Sequence, residues 1–408
     1  LEPLATFSLC CGTPADAWRS EAGSRRHHMT TLRKAAWVLL TLLGLALIYL
    51  LFWPVPIQPV AWQPAADLGY AGPHAANSRL AALRKIELHG EEGPEHVQIG
   101  PDGWLYVAVA SGKILRMDLD GVQQQVLART GGRVLGFDFD AAGRLIAADA
   151  MRGLLAITPE GQVTVLADRV GDTPILYANA VVVAKSGKIY FSDASMRFAP
   201  RDWGGTFEAS VLDILEQAGT GRVLEYDPAS KATRVVARGL SFANGVALSA
   251  KEHSLYVNET GRYRIWQVAV TAQDMDLASL ASPGAGAAGG VAETQARVLF
   301  DNLPGYPDNL MRGQDGRIWV GLVKPRNPKV DQLASKPWLR SLTLRLPRAL
   351  WPIPRAYGHV FAFDEAGQVV ADLQDPSGSY PETTSVTETP GRLYVQSLHA
   401  HELGWLPR

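Results

Sequence analysis

The sequence predicts an all-β protein: a six-bladed β-propeller preceded by a single N-terminal transmembrane helix. Three observations lead to this prediction: an uncharged apolar run near the N-terminus, a turn-and-strand pattern that recurs six times after about residue 80, and the spacing of those recurrences. The composition of the 408 residues, 47% hydrophobic and 19% charged, is that of a folded globular chain. Disordered, collagenous and coiled-coil proteins are therefore excluded.

Charge and cysteine content exclude further classes. The chain has 39 Lys and Arg residues against 40 Asp and Glu residues, a net charge of −1, so no basic excess attracts a nucleic acid as a partner. Its two cysteines, Cys10 and Cys11, are adjacent and close to the N-terminus. This position excludes a disulfide framework, a Cys-based zinc site and a cysteine nucleophile in the remaining chain.

The first predicted element is a transmembrane anchor over residues 35–53. As a helix rising about 1.5 Å per residue, these apolar or weakly polar residues nearly match a hydrocarbon core of about 30 Å. Four basic residues come just before the run, namely Arg25, Arg26, Arg33 and Lys34. The positive-inside rule then predicts a cytoplasmic N-terminus and a periplasmic or extracellular propeller. A cleaved signal peptide is the alternative, but the run exceeds the usual length of about 7 to 15 residues.

The anchor is flanked by a predicted cytoplasmic tail, residues 1–34, and a spacer, residues 54–79. Because Met29 and the residues after it resemble a natural start, residues 1–28 are either a genuine tail or an over-extended reading frame. Four prolines predict that the spacer is stiff and extended: Pro54, Pro56, Pro59 and Pro64.

Residues 80–408 are predicted to form the propeller. A turn followed by an alternating strand occurs six times, as DGWLYVA at Asp102, AGRLIAA at Ala142, SGKIYFS at Ser186, EHSLYVN at Glu252, DGRIWVG at Asp315 and PGRLYVQ at Pro390. Each copy has a partner strand, and the last partner is a truncated LGWL at Leu403. The copies lie 40, 44, 66, 63 and 75 residues apart, which suits four-stranded blades with later insertions. A pair of β-sandwiches would not need the same unit six times.

The insertions differ in character. Residues 283–290 (PGAGAAGG) predict a flexible loop without chemistry, and residues 210–218 have a short helical period. Residues 333–351 combine basic residues with Trp and Leu, which predicts a cap helix packed on the propeller. Membrane-surface contact is the less favoured alternative, because Pro337 and Pro347 would interrupt a long interfacial helix.

The phase of the repeat predicts a functional site. The innermost strand of each blade borders the central channel, so residues at one phase of the repeat form a ring around the axis. Counting back ten or eleven residues from the aligned apolar positions reaches four oxygen-bearing side chains: Glu95, Asn179, Asn244 and Asp308. Blades two and six offer Leu135 and Thr383 instead. Two carboxylates and two amides suit a hard cation, which predicts Ca²⁺ with water completing its coordination.

Taken singly, most of these residues also fit ordinary turns. Glu95 and Asp308 follow Pro, and Asn244 precedes Gly, which are common turn contexts. Asn179 is different because it precedes the apolar run 180–184, where a polar side chain without a partner is costly. The shared phase is what favours a joint role.

Five stretches, GPEHVQIG, YANAVVVAKSGKIYFSDAS, GLSFANGVALS, ETGRYRIW and LPGYPDNLMRGQDGRIWVGL, resemble the strictosidine synthase-like branch of the gluconolactonase and paraoxonase superfamily. The resemblance covers nearly all of residues 53–405 and is strongest to the group of adipocyte plasma membrane-associated proteins and their bacterial relatives. It implies a six-bladed propeller with a channel Ca²⁺. The family's metal-binding Glu, Asn, Asn and Asp correspond to Glu95, Asn179, Asn244 and Asp308.

Departures from the family narrow the activity that the resemblance implies. Plant strictosidine synthases use a catalytic Glu in a His-Phe-Glu stretch, where this chain has Glu382-Thr383-Thr384, with Glu382 about two places out of register. Paraoxonase-like relatives place a histidine base beside the second-blade position, where this chain has residues 134–137, VLGF. A gluconolactonase-like scheme remains, in which Ca²⁺ polarises an ester carbonyl and Asp308 and Glu95 are the candidate catalytic carboxylates.

The leading hypothesis is a membrane-anchored, calcium-dependent hydrolase of small esters or lactones, of the arylesterase or lactonase kind. One alternative is a non-catalytic binding propeller that calcium stabilises. Another is a carbon–nitrogen condensing enzyme of the strictosidine synthase type, with Glu382 as its only candidate carboxylate. Other candidate proton carriers, each more easily explained as a rim or blade-surface residue, are His96, His359, His399 and His401. A serine hydrolase of the α/β type is disfavoured because no Gly-x-Ser-x-Gly occurs.

Overall fold

The structure, a computed structural model, describes residues 15–281 and 295–408, with side chains from residue 29 onward. The predicted loop at residues 283–290 lies outside the described residues. Six sheets of four antiparallel strands follow one another along the chain, and the third carries a short fifth strand. The predicted six-bladed β-propeller is confirmed.

The strands of the first half, in chain order, are β1 (Arg84–Glu87), β2 (His96–Ile99), β3 (Leu105–Ala108), β4 (Lys113–Met117), β5 (Gln124–Arg129), β6 (Val134–Phe139), β7 (Leu145–Asp149), β8 (Gly153–Ile157), β9 (Val163–Ala167), β10 (Arg169–Val170), β11 (Thr173–Pro174), β12 (Ala178–Val183), β13 (Ile189–Asp193), β14 (Gly221–Asp227) and β15 (Ala232–Leu240). Blade one is β2–β5, blade two is β6–β9, and blade three is β12–β15, while β10 and β11 form a separate hairpin.

The remaining strands are β16 (Ala243–Leu248), β17 (Ser254–Glu259), β18 (Arg264–Ala269), β19 (Met275–Asp276), β20 (Ala296–Phe300), β21 (Gly305–Arg312), β22 (Ile318–Pro325), β23 (Gly358–Phe363), β24 (Val369–Asp375), β25 (Thr383–Glu388), β26 (Arg392–Ser397) and β27 (Glu402–Pro407). Blade four is β16, β17, β18 and β20, and blade five is β21–β24. The short strand β19 pairs in parallel with β15 at the edge of blade three.

Blade six joins the two ends of the propeller. Strand β1 pairs with β27, so that Arg84 lies opposite Trp405 and Glu87 opposite Glu402. The truncated sixth copy is therefore completed by a strand that precedes the first copy. Ile86 of β1 is buried in the cluster that also contains Leu403, so this contact closes the ring.

The six recurring patterns are the second strands of the blades, and their partners are the third strands. Many of these strands, such as β3, β7 and β13, are buried at every position. They are buried on both faces because each blade packs against its two neighbours, which produces apolar runs rather than strict alternation. The core is accordingly a set of clusters between consecutive blades, such as Tyr106 and Ile114 of blade one with Phe137 and Leu155 of blade two.

Helices occur outside the blades. α1 (Ala15–Phe52) contains the predicted anchor, and its part Met29–Phe52 is long and apolar enough to cross a membrane. α2 (Thr206–Glu216) begins before the segment predicted to be helical, residues 210–218, and ends two residues before the end of that segment, and α3 (Leu277–Leu280) is one turn. The predicted cap region holds two short helices, α4 (Pro328–Ala334) and α5 (Pro337–Thr343), rather than one, because Pro337 begins the second.

The Pro-rich segment, residues 56–79, lies against the propeller along its length. The amide of Val60 donates to the carbonyl of Glu216 at 2.8 Å. The ring of Trp62 lies 6.1 Å from that of Tyr263, and Nδ1 of His74 lies 2.8 Å from Oδ2 of Asp372. The segment contains a short 3-10 helix, Gly72–His74, and these contacts hold it against the propeller.

Candidate active site in the propeller channel

The four side chains selected by repeat phase line one cavity in the channel. Glu95 immediately precedes β2, while Asn179, Asn244 and Asp308 lie in the innermost strands β12, β16 and β21. All four are at most 5% exposed. They border a cavity of about 290 Å³ at the end of the channel where the innermost strands begin. Residues separated by more than 200 positions in sequence therefore share one space.

A β-bulge occurs at the ring position in most blades. The pairing of the innermost strand with the second strand shifts register between Ala178 and Val181 and between Ala243 and Val246. Equivalent shifts occur in blades two, five and six. A bulge bends its strand and redirects a side chain. Here it interrupts the ladder at Asn179 and Asn244, and nothing in the apolar pattern of the sequence indicated it.

Buried polar side chains hold the backbone of the ring in place. Nδ2 of Asn258 donates to the carbonyl of Asp308 at 2.6 Å, and Oγ1 of Thr260 donates to the carbonyl of Pro307 at 2.7 Å. Oγ1 of Thr384 donates to the carbonyl of Glu95 at 2.9 Å. The carbonyls of Pro307 and Asp308 are thus paired where the bulged strand β21 leaves its ladder, and that of Glu95 is paired just before β2 begins.

Buried carboxylates at the ends of three second strands also hold the backbone near the ring positions. In blades two, three and four the second strand ends on a buried carboxylate that accepts a backbone N–H just before the innermost strand. The three carboxylates are Asp149, Asp193 and Glu259. These carboxylates were not predicted, although in the sequence an acidic residue follows each of LIAA, IYFS and LYVN.

The ring positions of blades two and six are not oxygen donors to the cavity. Leu135 lines the cavity with an apolar side chain. The hydroxyl of Thr383 donates to the carbonyl of His359 at 2.8 Å and accepts from its amide at 3.0 Å, so it belongs to the contact between blades five and six. The polar side of the cavity comes from blades one, three, four and five.

Arg133, which immediately precedes β6, lines the cavity and was not predicted from the sequence. Its Nη2 lies 3.2 Å from Oε2 of Glu95. Its Nη1 is buried and has no hydrogen-bond partner among the described residues. A buried guanidinium donor of this kind is able to bind an oxygen of a ligand.

The charges of the site do not balance internally. Burial raises the pKa of Glu95 and raises the pKa of Asp308 well above its usual value, and the Glu95 carboxylate raises the pKa of Asp308 further. The Arg133 guanidinium lowers the pKa of Glu95 and so opposes the effect of burial on that carboxylate. In the described part of the protein, Oδ1 of Asn179 and Oδ1 of Asn244 are buried without a hydrogen-bond donor. Two repelling carboxylates and two unpaired amide oxygens fit a hard divalent cation.

The mouth of the cavity is formed by α2 and by the loop between β26 and β27. Phe207 and Ile214 of α2 line it, as does His399 of the loop. The ring of His399 hydrogen-bonds through Nδ1 to Oε2 of Glu382. Oε1 of Glu382 lies 2.5 Å from Nζ of Lys324. Glu382 is therefore already paired on both oxygens.

The other three candidate histidines lie elsewhere. His96 borders a separate cavity, where the innermost strands end, and burial lowers its pKa to about 4. His359 is fully buried beside Asp372, and the side chain of His401 is 80% exposed. Of the four, only His399 lines the cavity that contains the carboxylates.

Comparison with known proteins adds two family matches. The model described as SMP-30/Gluconolactonase/LRE-like region matches residues 102–336, more than half of the chain, and the model described as Strictosidine synthase-like, N-terminal matches residues 72–117. The chain belongs to this family of strictosidine synthase-like and gluconolactonase-like propellers. The resemblance seen in the sequence is confirmed.

Individual relatives of this gluconolactonase-like propeller fall into two groups. Adipocyte plasma membrane-associated protein of Salmo salar is 31% identical over 85% of this chain and 82% of its own length, and the Homo sapiens protein is 28% identical over 93% and 90%. Strictosidine synthase-like protein 13 of Arabidopsis thaliana is 35% identical over 60% of this chain and 57% of its own length.

Two solved structures share the propeller fold. A gluconolactonase from Xanthomonas campestris has a TM-score of 0.54 at 19% identity, covering 86% of this chain and 98% of its own. The calcium-binding protein regucalcin from Agrobacterium tumefaciens has a TM-score of 0.51 at 16% identity, covering 79% and 92%. At these identities the likeness establishes the fold alone.

Proposed function

We propose that this protein is a calcium-dependent hydrolase of small esters or lactones, anchored in a membrane by α1. The observation that carries the proposal is the convergence of two buried carboxylates and two unpartnered amide oxygens on one cavity. A volume of about 290 Å³ suits a small molecule rather than a polymer.

Glu95, Asn179, Asn244 and Asp308 would hold Ca²⁺ in this site. When bound, the ion would polarise an ester carbonyl as a Lewis acid. Glu95 and Asp308 are the proposed catalytic carboxylates, because both are buried in the cavity wall and can orient or deprotonate a water molecule there. Arg133 would fix Glu95 and present its free Nη1 to an oxygen of the substrate. Leu135 and Phe207 would pack against the apolar part of the substrate.

Hydrolysis of aryl esters and lactones by the full chain tests this proposal. We expect hydrolysis to require calcium and to stop after chelation. The substitution Asp308→Ala should abolish it. The exposed residue Asp202 offers a matched control, Asp202→Asn, which should leave activity unchanged. Hydrolysis that is unaffected by both chelation and Asp308→Ala would refute the proposal.

The membrane part of the proposal places the N-terminus in the cytoplasm and the propeller outside. It is supported by the apolar stretch Met29–Phe52, by the basic residues before it, and by similarity to proteins named as plasma membrane-associated. The only two cysteines, Cys10 and Cys11, provide a test. A membrane-impermeant maleimide should label them only after the cells are permeabilised, and labelling of intact cells would contradict this orientation.

A binding propeller without catalysis is the second candidate. It is favoured by the origin of the four oxygen ligands in four different blades, because an ion shared between blades would stabilise the ring. Under this function, calcium at one hundred times its Kd increases the free energy of unfolding by about 2.7 kcal/mol and so raises the melting temperature. No ester or lactone is turned over. The condensing activity has no such support, because Glu382 is engaged by His399 and Lys324.

A further inference from the structure

His399 and Glu382 form a carboxylate–imidazole pair at the mouth of the channel cavity. The side chain of His399 is 50% exposed and lines the cavity wall. Among the described residues, Glu382 is the only hydrogen-bond partner of the imidazole, through Nδ1. Nε2 is left without a partner. A carboxylate that binds Nδ1 keeps the proton there and leaves Nε2 able to accept one.

Glu382 is held rigidly from several directions. Its side chain is 11% exposed, and Nζ of Lys324 lies 2.5 Å from its second oxygen. Its backbone carbonyl accepts the amide of Leu398 at 3.1 Å, which ties it to the loop that carries His399. Its φ of +52° is in the left-handed region, which costs a non-glycine residue about 1–3 kcal/mol unless its surroundings impose it. The pair is therefore fixed by the fold and not by a chance surface contact.

We propose that His399 is the general base of this site and that Glu382 is its positioning residue. This inference rests on the proposed hydrolase function and deepens it: His399 takes the proton of the water, so that Glu95 and Asp308 would hold the ion and orient that water. Nε2 of His399 takes a proton from water while the water oxygen forms a bond to the carbonyl carbon. The carbon–oxygen bond of the ester then breaks, and the imidazolium returns the proton to the departing alkoxide. The products are an acid and an alcohol, or one hydroxy acid from a lactone.

The charges around His399 give this role a defined pH dependence. The hydrogen bond that Nδ1 of His399 donates to Glu382 raises the pKa of His399, and partial burial opposes this. Glu95 also raises that pKa, and Arg133 lowers it. The ammonium group of Lys324 pairs with the other oxygen of Glu382. Because a protonated Nε2 cannot act as a base, kcat/KM falls as the pH drops below the pKa of His399. Removing the charge of residue 382 lowers that pKa and moves the acidic limb to lower pH.

Three variants of the full chain test the pair: His399→Gln, Glu382→Gln and the control His401→Gln. His401 lies on the same loop and faces Glu92 at 3.5 Å, but it does not line the cavity. We measure kcat/KM for an aryl ester against pH and, separately, the pKa of His399 by NMR titration of its ring. The melting temperature with and without calcium checks that each variant keeps the fold and its response to the metal.

We expect His399→Gln to lower kcat/KM about 10²- to 10⁴-fold and His401→Gln to leave it unchanged. Glu382→Gln should move the acidic limb and the NMR pKa of His399 to lower pH by the same amount. If His399→Gln keeps more than half of the activity, His399 is not the base, although the hydrolase function stands. If Glu382→Gln moves neither quantity, Glu382 is not its positioning residue. Absence of ester and lactone hydrolysis in the unaltered protein overturns both proposals.

Discussion

The substitution Asp372→Asn tests the polar cluster that fastens the segment before β1 to blade five. Oδ2 of Asp372 accepts from Nδ1 of His74 and Nε2 of His359, each at 2.8 Å. Oδ1 accepts from Asn77 at 3.0 Å and from Gln374 at 2.5 Å. An asparagine would keep the hydrogen bonds from Asn77 and Gln374 through its Oδ1. Its amide N–H groups would face the two imidazole N–H groups, so the hydrogen bonds from the histidines would be lost.

The expected loss is large because the cluster is buried. Hydrogen bonds to a charged group contribute about 1.5–3 kcal/mol each, so loss of the two from His74 and His359 costs about 3–6 kcal/mol. A switch of tautomer does not avoid this cost, because Nδ1 of His359 is buried without a partner in the described part of the chain. At about 2 °C per kcal/mol, the melting temperature should fall by about 6–12 °C.

The pH dependence of this loss follows from the pKa shifts. Burial raises the pKa of Asp372, but hydrogen bonds from His359 and His74 outweigh it and hold that pKa below the usual value. A lowered carboxylate pKa stabilises the fold above the unfolded-state pKa of about 3.9, and that stability is lost as the pH falls further. Burial lowers the pKa of His359, so acid destabilises the fold below about pH 6.5.

The assay is the melting temperature of the full chain by circular dichroism at one scan rate, at pH 7 and at several values down to pH 3. Asp202→Asn, at an exposed site, is the control and should melt like the unaltered protein. The difference caused by Asp372→Asn should be full at pH 7 and shrink below about pH 4. A change of less than 2 °C at pH 7 would show that these hydrogen bonds do not contribute the expected stability.

Two further predictions concern the channel and the closure of the ring. In Gly245→Ala the new Cβ would lie 2.5 Å from the carbonyl oxygen of Asp308, so the two strands must separate and calcium affinity should fall about 10- to 100-fold by calorimetry. Gly391→Ala, with open space around its Cβ, should leave that affinity unchanged. Ile86→Ala should lower the free energy of unfolding by about 2–4 kcal/mol in denaturant titrations, because Ile86 is buried in the closing blade. The exposed Val122→Ala is its control, and equal stability of the two variants would contradict the role of β1.

The architecture was largely predictable because it is repetitive. Each blade carries the same turn and second strand, so six copies predicted six blades. The fourth strand of blade six was not predictable from the repeat, since β1 lies before the first copy and has no repeat signature of its own. The apolar run of the anchor predicted a helix that the structure contains.

The candidate site also contains residues that the repeat predicted and residues that it did not. Glu95, Asn179, Asn244 and Asp308 were selected by phase, and the structure places all four on one cavity wall. Arg133 was missed because it lies two residues before the phase position of blade two, where the ring residue itself is Leu135. The bulges were missed because an added residue in a doubly buried strand leaves the apolar pattern unchanged.

The repeat in the sequence predicted six blades and selected the four polar residues of the cavity, because equal positions in a closed repeat lie at equal distances from its axis. It did not determine what completes the cavity. His399, Glu382 and Lys324 come from a loop, a strand entry and a neighbouring blade, with no common phase between them. Only the tertiary structure brings them together, because loop side chains meet through the packing of adjacent blades and not through the repeat.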